Sequence, residues 1–393
     1  MKHAVKAGVK NVLGTAGRVL ENIPARARIF AAPDRQVFFG YYDVTPFSGD
    51  DRLLLATQAP EGNVSPHETH SELKLGFYDL TQEQPQFQKF GATKTWNWQQ
   101  GCRLQWLGEG RVIYNTLVDG GYGSVVQDVK SGEILKSFSR PVYSVSGKGA
   151  ISLDFGRLHQ YRRGYGYSNV AAAGSEDIIL MDLEGGAEKT VLSMAQAREF
   201  QPHEDMVGAA HYFNHLAFSP GGARFMVTHL WVTAQGKRRT RILIVDMADG
   251  AVTCPDNSGR TSHYCWLDDD RAVIFHVIRN LSGQYILYDL KTGGQDILFG
   301  NILGQDGHPT ITGDLFITDT YPDLTGLQHL YMCDRRRQEC RRIARLHAPA
   351  GFIGEMRCDL HPRLNHAGDA VCVDAIRDGR RAMILLELPD YKD

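Results

Sequence analysis

Four histidines recur at nearly regular intervals in the second half of the chain. His215, His263, His308 and His361 are 48, 45 and 53 residues apart, and each stands near the start of a short apolar segment. In a fold built from repeats, side chains at equivalent repeat positions converge on one place. Imidazole serves as a metal ligand or as a general acid or base, so the spacing predicts a central functional site.

An oxygen donor accompanies the last of these histidines. Asp359 and His361 flank Leu360, so both side chains point to the same side of a strand. With His308 they form a nitrogen and oxygen donor set that suits a borderline divalent ion, and Glu355 is a candidate further ligand. We expect Mn²⁺, with Zn²⁺, Fe²⁺ or Ca²⁺ as alternatives. Histidines that serve only as buried hydrogen-bonding groups are the simpler interpretation of the same residues.

A second group of candidates lies in residues 157–167, which contain three arginines, three tyrosines, one histidine and two glycines. Arginine binds carboxylates through paired hydrogen bonds, and tyrosine rings stack on sugars. We interpret the segment as a loop that binds an acidic glycan; a solvated loop with incidental charge is the alternative. The substrate-binding candidates, three of them outside this segment, are Arg157, His159, Arg162, Tyr165, Tyr167, Trp98, Gln100 and Arg357.

A repeated β-structure must position these residues, because an apolar strand that ends in an acidic residue recurs seven times. The acidic positions are Asp79, Asp128, Asp182, Asp246, Asp289, Asp334 and Glu387. Their spacing of 43 to 64 residues is typical of four-stranded blades. The sequence therefore predicts an all-β fold, a seven-bladed β-propeller in residues 26–393, with two unrelated β-domains as the weaker alternative. We expect residues 27–30 to add the outer strand of the last blade, and a loop or short helix near residues 195–208.

Residues 1–25 are basic and carry apolar side chains at helical spacing. They predict a short helix that caps the fold. The alternative is a basic amphipathic helix that makes peripheral contact with an anionic membrane. No stretch of the sequence is apolar for long enough to span a bilayer.

The composition argues against several classes of protein. A formal net charge of −2 disfavours a nucleic-acid surface, which needs a basic excess. Seven cysteines without a CxxC pair predict neither a disulfide framework nor a cysteine zinc site. Free cysteines favour a reducing compartment, such as the bacterial cytoplasm. The sequence has no P-loop, GxSxG or HExxH motif, so nucleotide-binding, serine-hydrolase and zincin functions have no support.

The chain resembles the oligogalacturonate lyases, which are seven-bladed polysaccharide lyases, most clearly in its last four blades. Asn214-His215 before Phe218-Ser219-Pro220 is similar to a histidine-containing strand of that family, as is the segment of residues 261–266 around His263. Asp359-Leu360-His361-Pro362 resembles the family's His-Pro-His-Pro segment, with an aspartate in place of its first histidine. The first three blades match less well and look more like a broad group of bacterial propellers.

The resemblance implies roles for five residues. His308, Asp359 and His361 would hold a metal that binds the carboxylate of a uronic acid. His263 and Arg241 would serve the elimination reaction, with His263 as the base. The resemblance to the oligogalacturonate lyases thus implies that this chemistry occurs at the centre of the propeller.

The leading hypothesis is a metal-assisted lyase that cleaves a uronic-acid-containing oligo- or polysaccharide by β-elimination. The metal and an arginine would neutralise the carboxylate, and His263 would remove the C5 proton. Tyr41 or Tyr264 would protonate the leaving oxygen, and His215 completes the candidate catalytic set.

Two other functions stay open. One is a non-catalytic propeller that binds an acidic glycan or a protein partner in bacterial surface-polysaccharide assembly. The other is glycoside hydrolysis, which needs two carboxylates at the site, and Asp43 and Asp359 are the pair that the sequence offers.

Overall fold

Short segments that are mostly buried along their whole length give a structure in which nearly all regular elements are β-strands. The computed structural model describes residues 17–389, apart from positions 63, 109, 148, 280, 281 and 301. The strands form seven four-stranded antiparallel sheets. Each sheet uses consecutive strands, except that the last sheet also takes the first strand of the chain. This is the predicted seven-bladed β-propeller.

The strands of the first three blades are β2 (Arg35–Phe38), β3 (Leu53–Pro60), β4 (Leu73–Asp79), β5 (Gln88–Thr93); β6 (Gln105–Trp106), β7 (Arg111–Val118), β8 (Gly121–Asp128), β9 (Ile134–Phe138); and β10 (Ser144–Ser146), β11 (Gly149–Ser152), β12 (Ile178–Asp182), β13 (Glu188–Leu192). Those of the next two are β14 (Ala210–Phe218), β15 (Arg224–Val232), β16 (Arg238–Asp246), β17 (Val252–Thr253); and β18 (Thr261–Trp266), β19 (Arg271–Arg279), β20 (Ser282–Asp289), β21 (Gln295–Leu298).

The sixth blade contains β22 (Thr310–Thr312), β23 (Leu315–Asp319), β24 (Leu327–Asp334) and β25 (Glu339–His347). The seventh contains β26 (Arg363–Leu364), β27 (Ala370–Arg377), β28 (Arg380–Glu387) and β1 (Arg28–Phe30). The short helices are α1 (Pro66–Thr69), α2 (Phe155–Tyr161) and α3 (Met194–Glu199), with 3₁₀ turns at Glu204–Met206 and Gly354–Met356.

Two compact units divide the chain. The first, residues 1–101 and 307–393, contains the first, sixth and seventh blades, and the second, residues 102–306, contains the other four. Within the first unit, Ile317 and Leu330 of the sixth blade pack in one buried cluster with Val371 and Ile384 of the seventh. Burial of such apolar side chains between successive sheets is the main force that holds the blades together.

The recurring acidic residue has a structural role in the turns that follow the strands. Asp128 Oδ1 accepts hydrogen bonds from the backbone N–H groups of Lys130 and Ser131. Asp289 Oδ1 accepts from those of Lys291 and Thr292 in the same way. These bonds satisfy donors that the turn would otherwise leave unpaired, which explains why an acid ends the strand in successive blades.

The seventh blade is completed by the N-terminal strand, as the sequence predicts. β1 pairs antiparallel with β28, and Arg28, Ile29 and Phe30 lie opposite Leu385, Ile384 and Met383. The spatial order of this blade is β1, β28, β27, β26. The two ends of the fold are therefore joined by backbone hydrogen bonds in one sheet.

The predicted N-terminal helix lies mostly outside the described residues, which begin at Gly17. Residues 17–19 are helical, and Asn22 then exchanges backbone hydrogen bonds with Arg345 instead of continuing the helix. The predicted insertion near residues 195–208 consists of α3 and the 3₁₀ turn that follows it. In the described part of the chain, no helix is both long and apolar enough to cross a membrane.

The expectation of free cysteines is wrong for one pair. Cys333 and Cys340 lie directly opposite each other on β24 and β25 and are joined by a disulfide bond. They are seven residues apart, and the tight hairpin between their strands brings the two side chains together. The remaining five cysteines are free. A location in the cytoplasm stays a prediction.

The closing strand should contribute strongly to stability through one side chain. Phe30 is buried, and its ring lies 4.6 Å from that of Tyr78 in the first blade, whereas Ile29 is about half exposed. We expect Phe30→Ala to lower the free energy of unfolding by about 3–5 kcal/mol, because it leaves a cavity in packed structure. Ile29→Ala in the same strand should cost about 1 kcal/mol or less. Urea unfolding of both variants measures the difference, and equal effects would contradict this role for Phe30.

Candidate functional site

His308 is held by a buried carboxylate at the end of β23. Asp319 Oδ1 accepts from the His308 backbone N–H at 2.7 Å, and its two oxygens lie 2.9 and 3.0 Å from His308 Nδ1. An ionised carboxylate can only accept hydrogen bonds. In the neutral ring, Nδ1 of His308 therefore carries the hydrogen and Nε2 carries the lone pair. Such a carboxylate behind a histidine is the usual arrangement around metal-binding imidazoles, since it fixes the ring and its tautomer.

His361 is fixed in the same tautomer by a backbone carbonyl. Its Nδ1 donates to the carbonyl oxygen of Gly40 at 2.8 Å, and its backbone N–H donates to Asp319 Oδ2. Its Nε2 is buried and has no hydrogen-bond partner among the described residues. Burial, with the nearby His308 and cationic arginines, lowers the pKa of His361 well below its ordinary value. At neutral pH the ring is uncharged, which is the form that binds metals.

The Gly40 backbone that receives this hydrogen bond is anchored by a buried ion pair. Asp374 accepts from the backbone N–H groups of Phe39 and Gly40, and its carboxylate lies 3.1 Å from Arg363 Nη2. Arg363 Nη1 also donates to the Gly40 carbonyl. Gly40 has a φ of 140°, and a Cβ there would come within 2.9 Å of the Gln100 backbone. Only glycine fits this conformation and this spacing.

The three predicted metal ligands come together in the first unit. One possible ligand atom from each of His308, Asp359 and His361 lies within 4.8 Å of the others, and all three side chains are buried. The two imidazole rings are perpendicular, with centroids 4.4 Å apart. Asp359 Oδ2 lies 3.8 Å from His361 Nε2 and accepts from Arg357 Nε at 2.6 Å. Two imidazoles and a carboxylate form a donor set that suits a borderline divalent ion.

Glu355 does not belong to this group, because its carboxylate lies beside His67, 4.0 Å from the Nε2 atom. Gln99, which the sequence analysis did not select, lies nearby instead. Its Nε2 donates to the carbonyl oxygens of Glu355 and Arg357, and these bonds fix the orientation of the amide. Its Oε1 is therefore a buried acceptor with no partner in the part of the chain that the structure describes.

Aromatic rings surround the histidine pair. The ring of Tyr41 lies edge-on to His361, with centroids 4.9 Å apart, and the ring of Tyr42 lies 5.2 Å from that of His308. Both tyrosines are buried. The predicted catalytic Tyr41 is thus a neighbour of the predicted metal ligands.

The predicted base His263 lies in the second unit, on β18, and has a carboxylate partner of its own. His263 Nδ1 is 3.0 Å from Asp306 Oδ1, and the hydroxyl of Ser262 donates to Asp306 Oδ2 at 2.6 Å. His215 lies on β14 in the same unit and stacks on Tyr264, with ring centroids 4.1 Å apart. The hydroxyl of Tyr264 donates to the His215 carbonyl, so it is engaged in holding this strand.

Arg241 is buried in the second unit, where five acceptors surround its guanidinium group. Nε donates to His229 Nδ1, Nη1 to Gln201 O and Asn257 Oδ1, and Nη2 to Ala197 O and Phe200 O. A guanidinium group has five N–H donors, so each is used. Three of the acceptors are carbonyls at the C-terminal end of α3 and just beyond it, so Arg241 anchors the insertion.

The predicted acidic-glycan segment begins as a helix and not as a loop. Asp154 caps α2 by accepting from the Arg157 backbone N–H, and α2 extends to Tyr161. The Arg157 side chain pairs with Glu176, and the guanidinium of Arg162 stacks on the ring of Tyr165 at 4.0 Å. His159 lies in α2 as well.

Several of the rings chosen as sugar platforms are covered by protein. Tyr165 and Tyr167 are buried, and Tyr167 stacks on Phe155 with centroids 4.5 Å apart. Trp98 is 3% exposed, lies under the Arg381 guanidinium at 4.3 Å and donates from Nε1 to the Val64 carbonyl. Gln100 is buried as well. These four side chains are therefore buried in the protein interior.

Sequence comparison finds no model of a protein family that matches this chain and no matching curated protein. Comparison of the fold does find solved structures. An oligogalacturonate lyase in complex with manganese is similar, with a TM-score of 0.67 and 13% identity over 94% of this chain and 96% of the other. An oligogalacturonate lyase from Vibrio parahaemolyticus is similar at a TM-score of 0.62 and 12% identity, over 95% and 97% of the two chains.

A third similar structure is the β-propeller domain of the trilobed protease from Pyrococcus furiosus, with a TM-score of 0.51 and 11% identity over 92% and 98% of the chains. At such low identity, the likeness concerns the fold. The chain is a seven-bladed β-propeller whose fold resembles that of the oligogalacturonate lyases over nearly its full length.

Proposed function

We propose that this protein is a metal-assisted lyase that cleaves a uronic-acid-containing oligo- or polysaccharide by β-elimination. The observation that carries the proposal is the buried group of His308, Asp359 and His361, with both imidazoles fixed in one tautomer by hydrogen bonds to Nδ1. The likeness in fold to a lyase in complex with manganese supports the same assignment.

The residues present fit a divalent metal ion. His361 Nε2 is a buried nitrogen without a hydrogen-bond partner among the described residues, and its ring is neutral. An unpaired buried polar atom is costly unless a ligand satisfies it. His308, Asp359 and His361 would hold the ion, and the buried amide oxygen of Gln99, whose amide is bonded to the Arg357 carbonyl, would be a candidate further oxygen donor. When bound, the metal would act as a Lewis acid that neutralises the uronate carboxylate and so acidifies the C5 proton.

The remaining chemistry would come from side chains of this protein. His263 would take the C5 proton, the electrons of the C5–H bond would form the C4=C5 double bond, and the bond from C4 to the glycosidic oxygen would break. Tyr41 would donate a proton to that oxygen. The products would be a glycan with a new free hydroxyl and a glycan that ends in an unsaturated uronate.

The arginine that helps to neutralise the carboxylate would be Arg357. It is about a quarter exposed and already binds Asp359 in the candidate metal centre. A second carboxylate, that of the substrate, would be attracted to the same cationic guanidinium. Arg241, whose five donors are used inside the protein, would serve as an anchor of the α3 insertion.

The lyase activity is tested by incubating the protein with oligomers of different uronic acids. We expect the ultraviolet absorbance of the unsaturated product to rise for at least one of them. Chelation with EDTA should abolish the rise, and added Mn²⁺ should restore it. Product formation that is unchanged by chelation would contradict the role of the metal. A bound glycan with no product from any uronate oligomer would favour the non-catalytic binding function.

His361→Ala should remove a ligand and abolish stoichiometric Mn²⁺ binding, measured by elemental analysis of the purified protein. His366→Ala is the matched control. His366 lies on the hairpin between β26 and β27, is partly exposed and pairs with Asp51. This variant should keep the metal content of the unaltered protein. If His361→Ala bound as much metal as His366→Ala, the proposed centre would be wrong.

Asp319 should tune the metal affinity without being a ligand. Its carboxylate holds the His308 ring and the backbone of His361, so Asp319→Asn should weaken Mn²⁺ binding by roughly 10- to 100-fold. Titration calorimetry measures the dissociation constant. Asp314→Asn in the same blade is the control, since Asp314 pairs with Arg335 and Arg336 at the surface. Equal affinities of the two variants would exclude this role.

A further inference from the structure

A buried carboxylate behind His263 is not part of any role considered above. Asp306 is 3% exposed and lies between β21 and β22. Its Oδ1 lies 3.0 Å from His263 Nδ1, and its Oδ2 accepts from the Ser262 hydroxyl at 2.6 Å. Both partners lie on β18, so Asp306 is held by two adjacent side chains of one strand.

The direction of these hydrogen bonds fixes the state of the imidazole. A carboxylate accepts, so Nδ1 of His263 carries the hydrogen and the lone pair lies on Nε2. The Ser262 hydroxyl gives its one hydrogen to Oδ2, which keeps Oδ1 turned toward the ring. An imidazole with a carboxylate at Nδ1 is the arrangement that activates Nε2 as a general base in other enzymes.

We propose that Asp306, itself oriented by Ser262, is a positioning residue for His263 in the reaction. It holds the Nδ1–H tautomer, so that Nε2 takes the C5 proton, and its negative charge stabilises the imidazolium ion that this transfer forms. The proton that His263 gains returns to solvent when the product leaves. This inference rests on the proposed function for its catalytic part, whereas the tautomer is a property of the free protein.

The test combines one spectroscopic and one kinetic readout on the full chain. The ¹⁵N chemical shifts of the His263 ring, assigned by comparison with His263→Gln, report which nitrogen carries the hydrogen. We expect the unaltered protein to show the Nδ1–H form, and Asp306→Asn to show the Nε2–H form or a mixture, because an amide can donate to Nδ1. The value of kcat for Asp306→Asn should fall by on the order of 10²- to 10⁴-fold while KM changes little.

Two further variants complete the design. Ser262→Ala keeps the carboxylate but removes its orienting bond, so a smaller fall in kcat, on the order of 10-fold, is expected. Asp296→Asn, on the exposed part of β21 in the same blade, should leave both readouts unchanged. If Asp306→Asn does not fold, the kcat of Ser262→Ala decides the question, and a value equal to that of the unaltered protein would overturn the positioning role.

The outcomes separate this inference from the proposed function. An Nε2–H tautomer in the unaltered protein, or an Asp306→Asn variant with an unchanged tautomer and kcat, would overturn the role of Asp306. A protein without lyase activity would overturn the proposed function and with it the catalytic part of the inference. The tautomer measurement would still decide whether Asp306 positions the ring.

Discussion

The buried carboxylate of Asp319 is the interaction on which the candidate site depends. It accepts hydrogen bonds from the ring and backbone of His308 and from the backbone of His361. These two histidines belong to different connections of the chain, before β22 and before β26, and one side chain sets the position of both. A buried charge is expensive to desolvate and is stable only when several donors surround it. The same donors that make Asp319 tolerable therefore also orient the two imidazoles.

A second buried charge extends this arrangement to the first blade. The Asp374–Arg363 pair holds Phe39 and Gly40, and the carbonyl of Gly40 holds His361. Burial raises the pKa of Asp374, while Arg363 and the two backbone donors oppose that rise. His361 itself has a φ of 46°, an unusual value for a residue with a side chain. Backbone strain of this kind persists only where the surroundings impose it, and here the bonds at its N–H and Nδ1 do so.

The sequence could predict the blades because their strands repeat, and it could predict the histidine group because a repeat brings equivalent positions together. It could not predict the roles of Asp319 and Asp306, because each depends on a partner that is distant in the sequence. Asp319 contacts His361, and Asp306 contacts His263. An acid at the end of the mostly apolar run Leu315–Thr318 is a clue to Asp319. The opposite error occurs at Arg241 and at the tyrosines of residues 157–167, which were predicted to act on or bind the substrate. The family resemblance suggested Arg241 and residue type suggested the tyrosines, yet Arg241 is fully hydrogen-bonded inside the protein and Tyr165 and Tyr167 are buried.

Closure of the seventh blade by β1 has a consequence for how the protein is made. β1 is synthesised before the first six blades, whereas its partner β28 follows them. While these blades are being made, β1 lacks its sheet neighbour, and the apolar ring of Phe30 has no packing partner in its own sheet. Unpaired strand edges invite association with other chains. The nascent chain should consequently need protection at β1 until β28 has been synthesised, and pairing of β1 with β28 is a contact of very long sequence separation that slows folding.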